Sequence, residues 1–217
     1  FLFNIKHMKL HLLAGGLVLL SLISFSSCET DDVEPKTAEI NDPGVIIYGD
    51  PIIINEVLYD PSNSGLDGDA NGDGVYGQDD DSFIEFFNAS AADVNIGGYQ
   101  IWDDTTSGSN QYTFPNGTIL PSRSALVVFG GGTPTGNFGG AVVLNAVSGF
   151  NFNNSGEVIG IKDTSGAWAF TFNSSLLSGN PNESYTRNPD ITGEFEQHNA
   201  NTPRLFSPGT KIDGTSF

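Results

Sequence analysis

The 217-residue chain contains few cysteine, histidine and basic residues. Its single cysteine excludes a disulfide bond within the chain and a multi-cysteine zinc site. Three histidines leave little material for a serine–histidine–aspartate triad or a multi-histidine metal centre. Only eight basic residues stand against 26 acidic ones. Because nucleic-acid binding depends on basic side chains that displace counterions from phosphates, this balance argues against a nucleic-acid partner.

The N-terminal segment has the pattern of a signal peptide. Lys6 and Lys9 provide a positive region, and a mostly apolar run follows from Leu12 to Phe25. This run is too short to be a comfortable membrane span and has the length typical of the apolar region of a signal peptide. We therefore expect a signal peptide at residues 1–27, with Met8 as the true start of translation.

The apolar run ends in Phe25-Ser26-Ser27-Cys28, which resembles the lipobox of bacterial lipoproteins. In that family the cysteine is acylated and the chain is cleaved before it. The resemblance thus implies lipidation of Cys28 and a membrane anchor of two or three acyl chains, which bind stably where one chain would not. Phe25 departs from the usual leucine at its position. The alternative is an ordinary signal peptide with a cysteine at its end by chance.

Residues 28–45 are predicted to form an acidic, flexible tether. Removal of Lys6 and Lys9 leaves six of the eight basic residues against all 26 acidic ones, a net charge of −20 over residues 28–217. Such a charge argues against adsorption to anionic lipid surfaces. The acidic stretch that begins at Glu29 is similar to the signals that send Bacteroidetes lipoproteins to the cell surface, with a merely solvated linker as the alternative. We expect an outer-membrane lipoprotein of the cell envelope.

The rest of the chain is predicted to be all-β. Short apolar segments, often alternating or β-branched, are separated by Gly, Asn, Asp, Ser and Pro, and no helical periodicity of useful length is present. This spacing favours an antiparallel sandwich or barrel. The predicted strands are residues 52–58, 83–88, 94–102, 111–114, 125–130, 141–144, 158–163 and 168–172.

The order of several short motifs resembles the lamin-tail domain, an immunoglobulin-like β-sandwich that also occurs in bacterial secreted and surface proteins. The motifs are Ile53-Ile54-Asn55-Glu56-Val57, Phe83-Ile84-Glu85-Phe86-Phe87-Asn88, Tyr112-Thr113-Phe114-Pro115-Asn116-Gly117 and Asn154-Ser155-Gly156-Glu157-Val158-Ile159. The resemblance implies an antiparallel immunoglobulin-like β-sandwich at residues 46–175. It also implies a scaffold and interaction module, because the bacterial members have no agreed activity. Residues 176–217 resemble the extension that often follows this domain, packed on it or trailing it.

A twelve-residue segment from Asp69 to Asp80 matches the EF-hand type of calcium loop, which also occurs in dockerin-like repeats. The predicted ligands at positions one, three, five, seven and twelve are Asp69, Asn71, Asp73, the Val75 carbonyl and Asp80. Gly74 occupies the sharp turn at position six. Calcium is the expected ion because an all-oxygen set suits a hard, flexible cation. We expect it to order an insert at residues 62–82, the alternative being a solvated, disordered acidic insert.

Three classes of function remain open at the level of the sequence. The first is a non-catalytic scaffold that binds a protein or polymer, and the second is a carbohydrate-binding surface lipoprotein. Trp102 and Trp168 are candidates for stacking on a sugar, although packing is the favoured role for both. The third is a carboxylate-dependent hydrolase that would use Glu56 and Glu85, for which a structural role is favoured. His198 is expected to be hydrogen-bonded or exposed and not a catalytic base.

Overall fold

The computed structural model describes residues 39–42, 45–47, 51–177 and 179–217, the first two segments by their backbone alone. The predicted signal peptide and Cys28 lie outside these residues, as does most of the predicted tether. Among the residues described, no helix is both long and apolar enough to cross a membrane.

In the part of the chain that the structure describes, short strands make up most of the regular structure. In chain order they are β1 (Glu39–Asp42), β2 (Val45–Ile47), β3 (Ile52–Leu58), β4 (Phe83–Asn88), β5 (Val94–Asn95), β6 (Gln100–Trp102), β7 (Asn110–Thr113), β8 (Ile119–Leu120), β9 (Ala125–Phe129), β10 (Val142–Asn145), β11 (Val158–Lys162), β12 (Trp168–Asn173), β13 (Tyr185–Asn188) and β14 (Glu194–Gln197). One helical turn, α1 (Gln78–Asp81), precedes β4. Three single turns of 3₁₀ helix lie at Phe138–Gly140, Ser174–Leu176 and His198–Ala200.

The strands form two large sheets and a small pair. Sheet A has the order β1-β2-β12-β11-β6-β7, and sheet B has the order β10-β9-β4-β3-β13-β14, while β5 pairs with β8. In the described part of the chain every strand pair is antiparallel except β9 with β10. The predicted all-β, antiparallel, immunoglobulin-like sandwich is therefore confirmed.

The main core lies between the two sheets. Because side chains alternate across a strand, Ile54 and Phe86 of sheet B and Ile101 and Phe170 of sheet A belong to one buried cluster. Sheet B is buried on its outer face as well, where Phe83, Val127 and Phe129 form part of a second cluster. Every residue of β4 and β9 is consequently buried.

The strand predictions hold where the apolar pattern is local and continuous. Residues 52–58 and 83–88 coincide with β3 and β4. The single strand predicted at 94–102 is wrong, because a turn at Gly97 and Gly98 divides it into β5 and β6. Gly98 has a φ of +88°, and a Cβ at Gly97 would lie 2.5 Å from the Gly117 backbone nitrogen, so the chain must bend here.

The segment after residue 175 contributes to sheet B. β13 pairs with the edge of β3, and β14 pairs with β13. From Leu205 onward the chain has no strand and contributes Phe206 to the cluster on the outer face of sheet B. We call residues 205–217 the strap.

Candidate functional site

The predicted calcium loop folds around the side chains of its first and third positions. Asp69 accepts hydrogen bonds from the backbone N–H groups of Asp73 (3.1 Å) and Gly74 (2.8 Å). The Asn71 side-chain oxygen accepts a bond from the same Asp73 N–H at 3.0 Å. Gly74 has a φ of +87°, in the left-handed region that the predicted turn at position six requires. These contacts direct two predicted ligand side chains towards one turn of backbone.

The loop is docked on the segment that follows β9. Asp73 accepts a hydrogen bond from the Thr133 N–H at 2.8 Å, and the Asn71 side-chain amide donates to the Gly131 carbonyl at 3.3 Å. A Cβ at Gly132 would lie 2.6 Å from an Asp73 carboxylate oxygen. The glycines after β9 therefore leave the space that these side chains fill.

The helical turn α1 brings two adjacent carboxylates to the end of the loop. Asp80, the predicted twelfth ligand, is half-buried and lies against Gly131, where a Cβ would meet its oxygen at 1.9 Å. Asp81 is fully buried and accepts bonds from the N–H groups of Asn71 (3.1 Å) and Gly77 (2.8 Å). Burial raises the pKa of Asp81 to about 6. The loop pattern alone does not assign this closing role to Asp81.

The donors present are suitable in kind for calcium, since they are carboxylate, amide and carbonyl oxygens. Val75, whose carbonyl is the predicted seventh-position ligand, is 67% exposed. Among the described residues, no three histidine, cysteine or acidic side chains form a group that could hold a metal ion. A group of this kind would not include two of the five predicted donors, the Asn71 amide and the Val75 carbonyl, because neither is a histidine, cysteine or acidic side chain. The ligand set stays a prediction.

Glu56 and Glu85, the candidate hydrolase residues, are directly opposite each other on β3 and β4, and both are fully buried. Glu56 accepts hydrogen bonds from the Ser184 hydroxyl (2.6 Å), the Ser207 N–H (2.9 Å) and the Ser207 hydroxyl (2.7 Å). Glu85 accepts bonds from the Asn55 amide (2.8 Å) and the Gly209 N–H (2.6 Å). We call Glu56 and Glu85 the carboxyl pair.

Burial dominates the electrostatics of the carboxyl pair. It raises the pKa of Glu56 to about 7, and the charge of Asp190 acts in the same direction. It raises the pKa of Glu85 well above its usual range, and the charge of Glu56 adds to that rise. A hydrolase would need these groups to face a substrate. The strap covers both of them, and this arrangement favours the structural role.

His198 is buried at the end of β14. Its Nδ1 lies 3.0 Å from the Arg204 carbonyl oxygen and 3.2 Å from the Thr202 hydroxyl. Burial lowers the pKa of His198 to about 4, so the ring is neutral near pH 7. These contacts are those of the hydrogen-bonded residue that was predicted.

The two tryptophans pack on each other at the outer face of sheet A. Trp102 and Trp168 are half-buried and make an edge-to-face contact with ring centroids 6.2 Å apart. The Lys162 ammonium lies 3.6 Å from the Trp102 ring centroid and 4.5 Å from that of Trp168. The predicted packing role is therefore confirmed. A sugar that stacked on the ring faces beneath Lys162 would have to displace this cation.

An acidic cavity of about 550 Å³ was not predicted. Asp103, Asp104 and Glu157 are among its lining residues. Burial raises the pKa of Glu157 to about 7, and the charges of the two aspartates contribute. Asp103 and Asp104 follow β6 and Glu157 precedes β11, and these two strands are paired. The sequence therefore offered one indication of this cluster, an acidic doublet after one predicted strand and a glutamate before another.

Comparison with known protein families matches residues 48–173 to the Lamin Tail Domain. The matched segment includes the predicted calcium loop and both members of the carboxyl pair, and it ends before β13. Comparison with curated proteins found no match.

Proposed function

This chain belongs to the lamin-tail domain family, and from that membership we propose that it is a non-catalytic binding or scaffold protein tethered to a bacterial cell envelope. Domains of this immunoglobulin-like family are typically non-enzymatic. The observation that carries the non-catalytic part of the proposal is the complete burial of Glu56 and Glu85, because the acidic residues considered for hydrolysis are occupied in holding the fold. The partner is a protein or a polysaccharide at the cell envelope.

The membrane tether is proposed from the lipobox-like tetrapeptide that ends at Cys28. Cys28→Ala is expected to abolish incorporation of labelled fatty acid, because the acylated thiol is lost. The protein should then become soluble or remain unprocessed, as measured by mass spectrometry and membrane fractionation. Ser26→Ala, which leaves the cysteine in place, should retain the label. Unchanged incorporation of labelled fatty acid into Cys28→Ala would contradict the proposal.

Calcium is proposed as a structural ion of the loop. Its binding should raise the melting temperature, because an ion that binds only the folded state adds about 2.7 kcal/mol at 100 times its dissociation constant. For a domain of this size that corresponds to roughly 5–10 °C. Asp69→Ala/Asp73→Ala should remove the rise measured by calorimetry with and without chelator, since both side chains are predicted ligands.

The matched control is Asp67→Ala/Asp93→Ala, which removes the same charge outside the twelve-residue loop. It should retain the calcium response. Extracellular calcium modules bind at about 10⁻⁴ to 10⁻³ M. If the unaltered protein shows no response up to several times the weaker value, the loop is not a calcium site.

The loop is also the surface that we propose for contact with a partner. Leu66 is 58% exposed and Val75 is 67% exposed, so two apolar side chains of this acidic insert face solvent. Docking on Gly131 and Thr133 fixes the backbone that carries them. Calcium would stabilise this arrangement by offsetting the repulsion between the neighbouring carboxylates.

A further inference from the structure

The strap is anchored on the outer face of sheet B at both ends. Phe206 packs against the cluster that contains Phe83 and Phe129. Phe217 packs on Phe87 of β4, with ring centroids 4.9 Å apart. Two aromatic contacts on sheet B therefore bracket the strap.

Between these anchors, two carboxyl groups of sheet B and one from the turn after β13 hold the backbone of the strap. The N–H groups of Ser207 and Gly209 donate to Glu56 and Glu85, respectively. Further along, the Ile212 N–H donates to the two oxygens of Asp190 at 3.1 and 3.2 Å. In a β-sheet, the N–H groups of an edge segment donate to the backbone carbonyls of the neighbouring strand. Here they donate to acidic side chains, so attachment of the strap depends on the protonation state of those side chains.

The carboxyl pair is electrostatically frustrated. Its two side chains project from directly opposed positions on neighbouring strands, and both are buried. The groups that donate hydrogen bonds to them are hydroxyl, amide and backbone N–H groups, all of which are neutral. Neutral donors stabilise a carboxylate but do not cancel its charge. Two neighbouring buried carboxyl groups resist simultaneous ionisation, and one of them tends to keep its proton.

Other titratable groups come from each element around the pair. They are Asp190 after β13, Arg187 on β13, His198 after β14, Arg204 before the strap, and Lys211 and Asp213 within the strap. Arg187 donates to the Ile54 and Gly193 carbonyl oxygens. Hydrogen bonds from the Thr215 hydroxyl and N–H lower the pKa of the exposed Asp213, and the charges of Lys211 and Arg204 act in the same direction. Asp190 is the further group that raises the pKa of both carboxyls.

We propose that the carboxyl pair is a proton-dependent latch for the strap, which is held most tightly while both carboxyls are protonated and loosens as they ionise. Loosening would admit water to the charged pair. It would also uncover the apolar outer face of sheet B, including Phe83 and Phe129. The latch does not depend on lipidation or on calcium binding, so a result against the latch would leave those two proposals unaffected.

The sign of the pH dependence follows from the direction of the pKa shifts. Both carboxyls have raised pKa values in the closed state, that of Glu56 being about 7. The stability of the closed strap is therefore fully present below the ordinary glutamate pKa of about 4.5 and is lost as the pH rises through about 7. His198 acts in the opposite direction, since its pKa is lowered and its contribution is lost as the pH falls towards 4.

Amide hydrogen exchange of the purified protein tests the latch. Protection factors of the Ser207 and Gly209 amides, corrected for intrinsic exchange, should fall by about tenfold or more between pH 5 and pH 8. The reason is that linkage of one proton to closure of the strap changes the closing equilibrium by up to tenfold per pH unit. The Val127 amide, in strand β9, which has a paired strand on each side, should change much less. Glu56→Gln/Glu85→Gln should abolish the fall at Ser207 and Gly209, because neither side chain can then ionise.

The control is Glu194→Gln/Glu196→Gln, which neutralises two exposed carboxylates of β14 and should keep the native pH profile. Protection that does not change with pH, or an unchanged profile in Glu56→Gln/Glu85→Gln, would overturn the proposal. If that variant fails to fold, the proposal is tested by following the amide chemical shifts of Ser207 and Gly209 in the unaltered protein as a function of pH. A transition near or above pH 7 supports the latch, and a transition at pH 4 to 5 refutes it.

Discussion

Replacing Gly130 by alanine is expected to destabilise the protein by about 3 kcal/mol or more, at the upper end of the cost of overpacking. The added Cβ would lie 1.9 Å from the Asp79 carbonyl oxygen and 2.6 Å from the Phe150 backbone nitrogen. Both are backbone atoms, so no rotamer change relieves the contact. The Phe150 N–H donates to that same Asp79 oxygen at 2.8 Å, and the substitution must disturb this bond.

Chemical denaturation of Gly130→Ala measures the loss, with Gly179→Ala as the control. At Gly179 the nearest atom to an added Cβ is 3.4 Å away, which is ordinary contact, so we expect a change below about 1 kcal/mol. Because α1 carries Asp80, Gly130→Ala should also weaken the calcium response. Native stability of Gly130→Ala would show that the end of β9 and α1 do not pack as described.

Glu56→Ala is expected to have the second large effect, a loss of about 3 kcal/mol at pH 5, where the carboxyl is mostly protonated. The substitution leaves the Ser207 N–H and two serine hydroxyls without their acceptor and opens a cavity under the strap. The loss should be smaller at pH 8. There the native protein bears the cost of a buried charge, which the substitution removes.

Thermal or chemical unfolding at the two pH values measures both parts of this prediction. Native stability itself should fall from pH 5 to pH 8, because the raised pKa values of Glu56 (about 7), Asp81 (about 6) and Glu157 (about 7) all act in that direction. Glu194→Ala, at an exposed position of the neighbouring β14, should change stability by less than about 0.5 kcal/mol. A Glu56→Ala protein that loses more stability at pH 8 than at pH 5 would contradict the argument.

The sequence by itself determined the fold class and most of the strands of the sandwich. The apolar residues of β3 and β4 are concentrated in short segments rich in β-branched and aromatic side chains, a local property of the sequence, so both strands could be predicted to the residue. The position of the acidic loop could likewise be predicted, because its ligand spacing lies within twelve consecutive residues. The division of residues 94–102 escaped this reasoning, since the apolar pattern continues across the turn.

Tertiary structure alone decided what the carboxylates do. Glu56 meets Ser184 and Ser207, which are 128 and 151 residues away along the chain, through strand register and the path of the strap. No local pattern encodes such a meeting. Burial, which sets the pKa values of the carboxyl pair, likewise depends on which segment covers the outer face of sheet B. For the same reason Asp81 could not be distinguished from Asp80 beforehand, because the two are adjacent in sequence and differ in where α1 directs them.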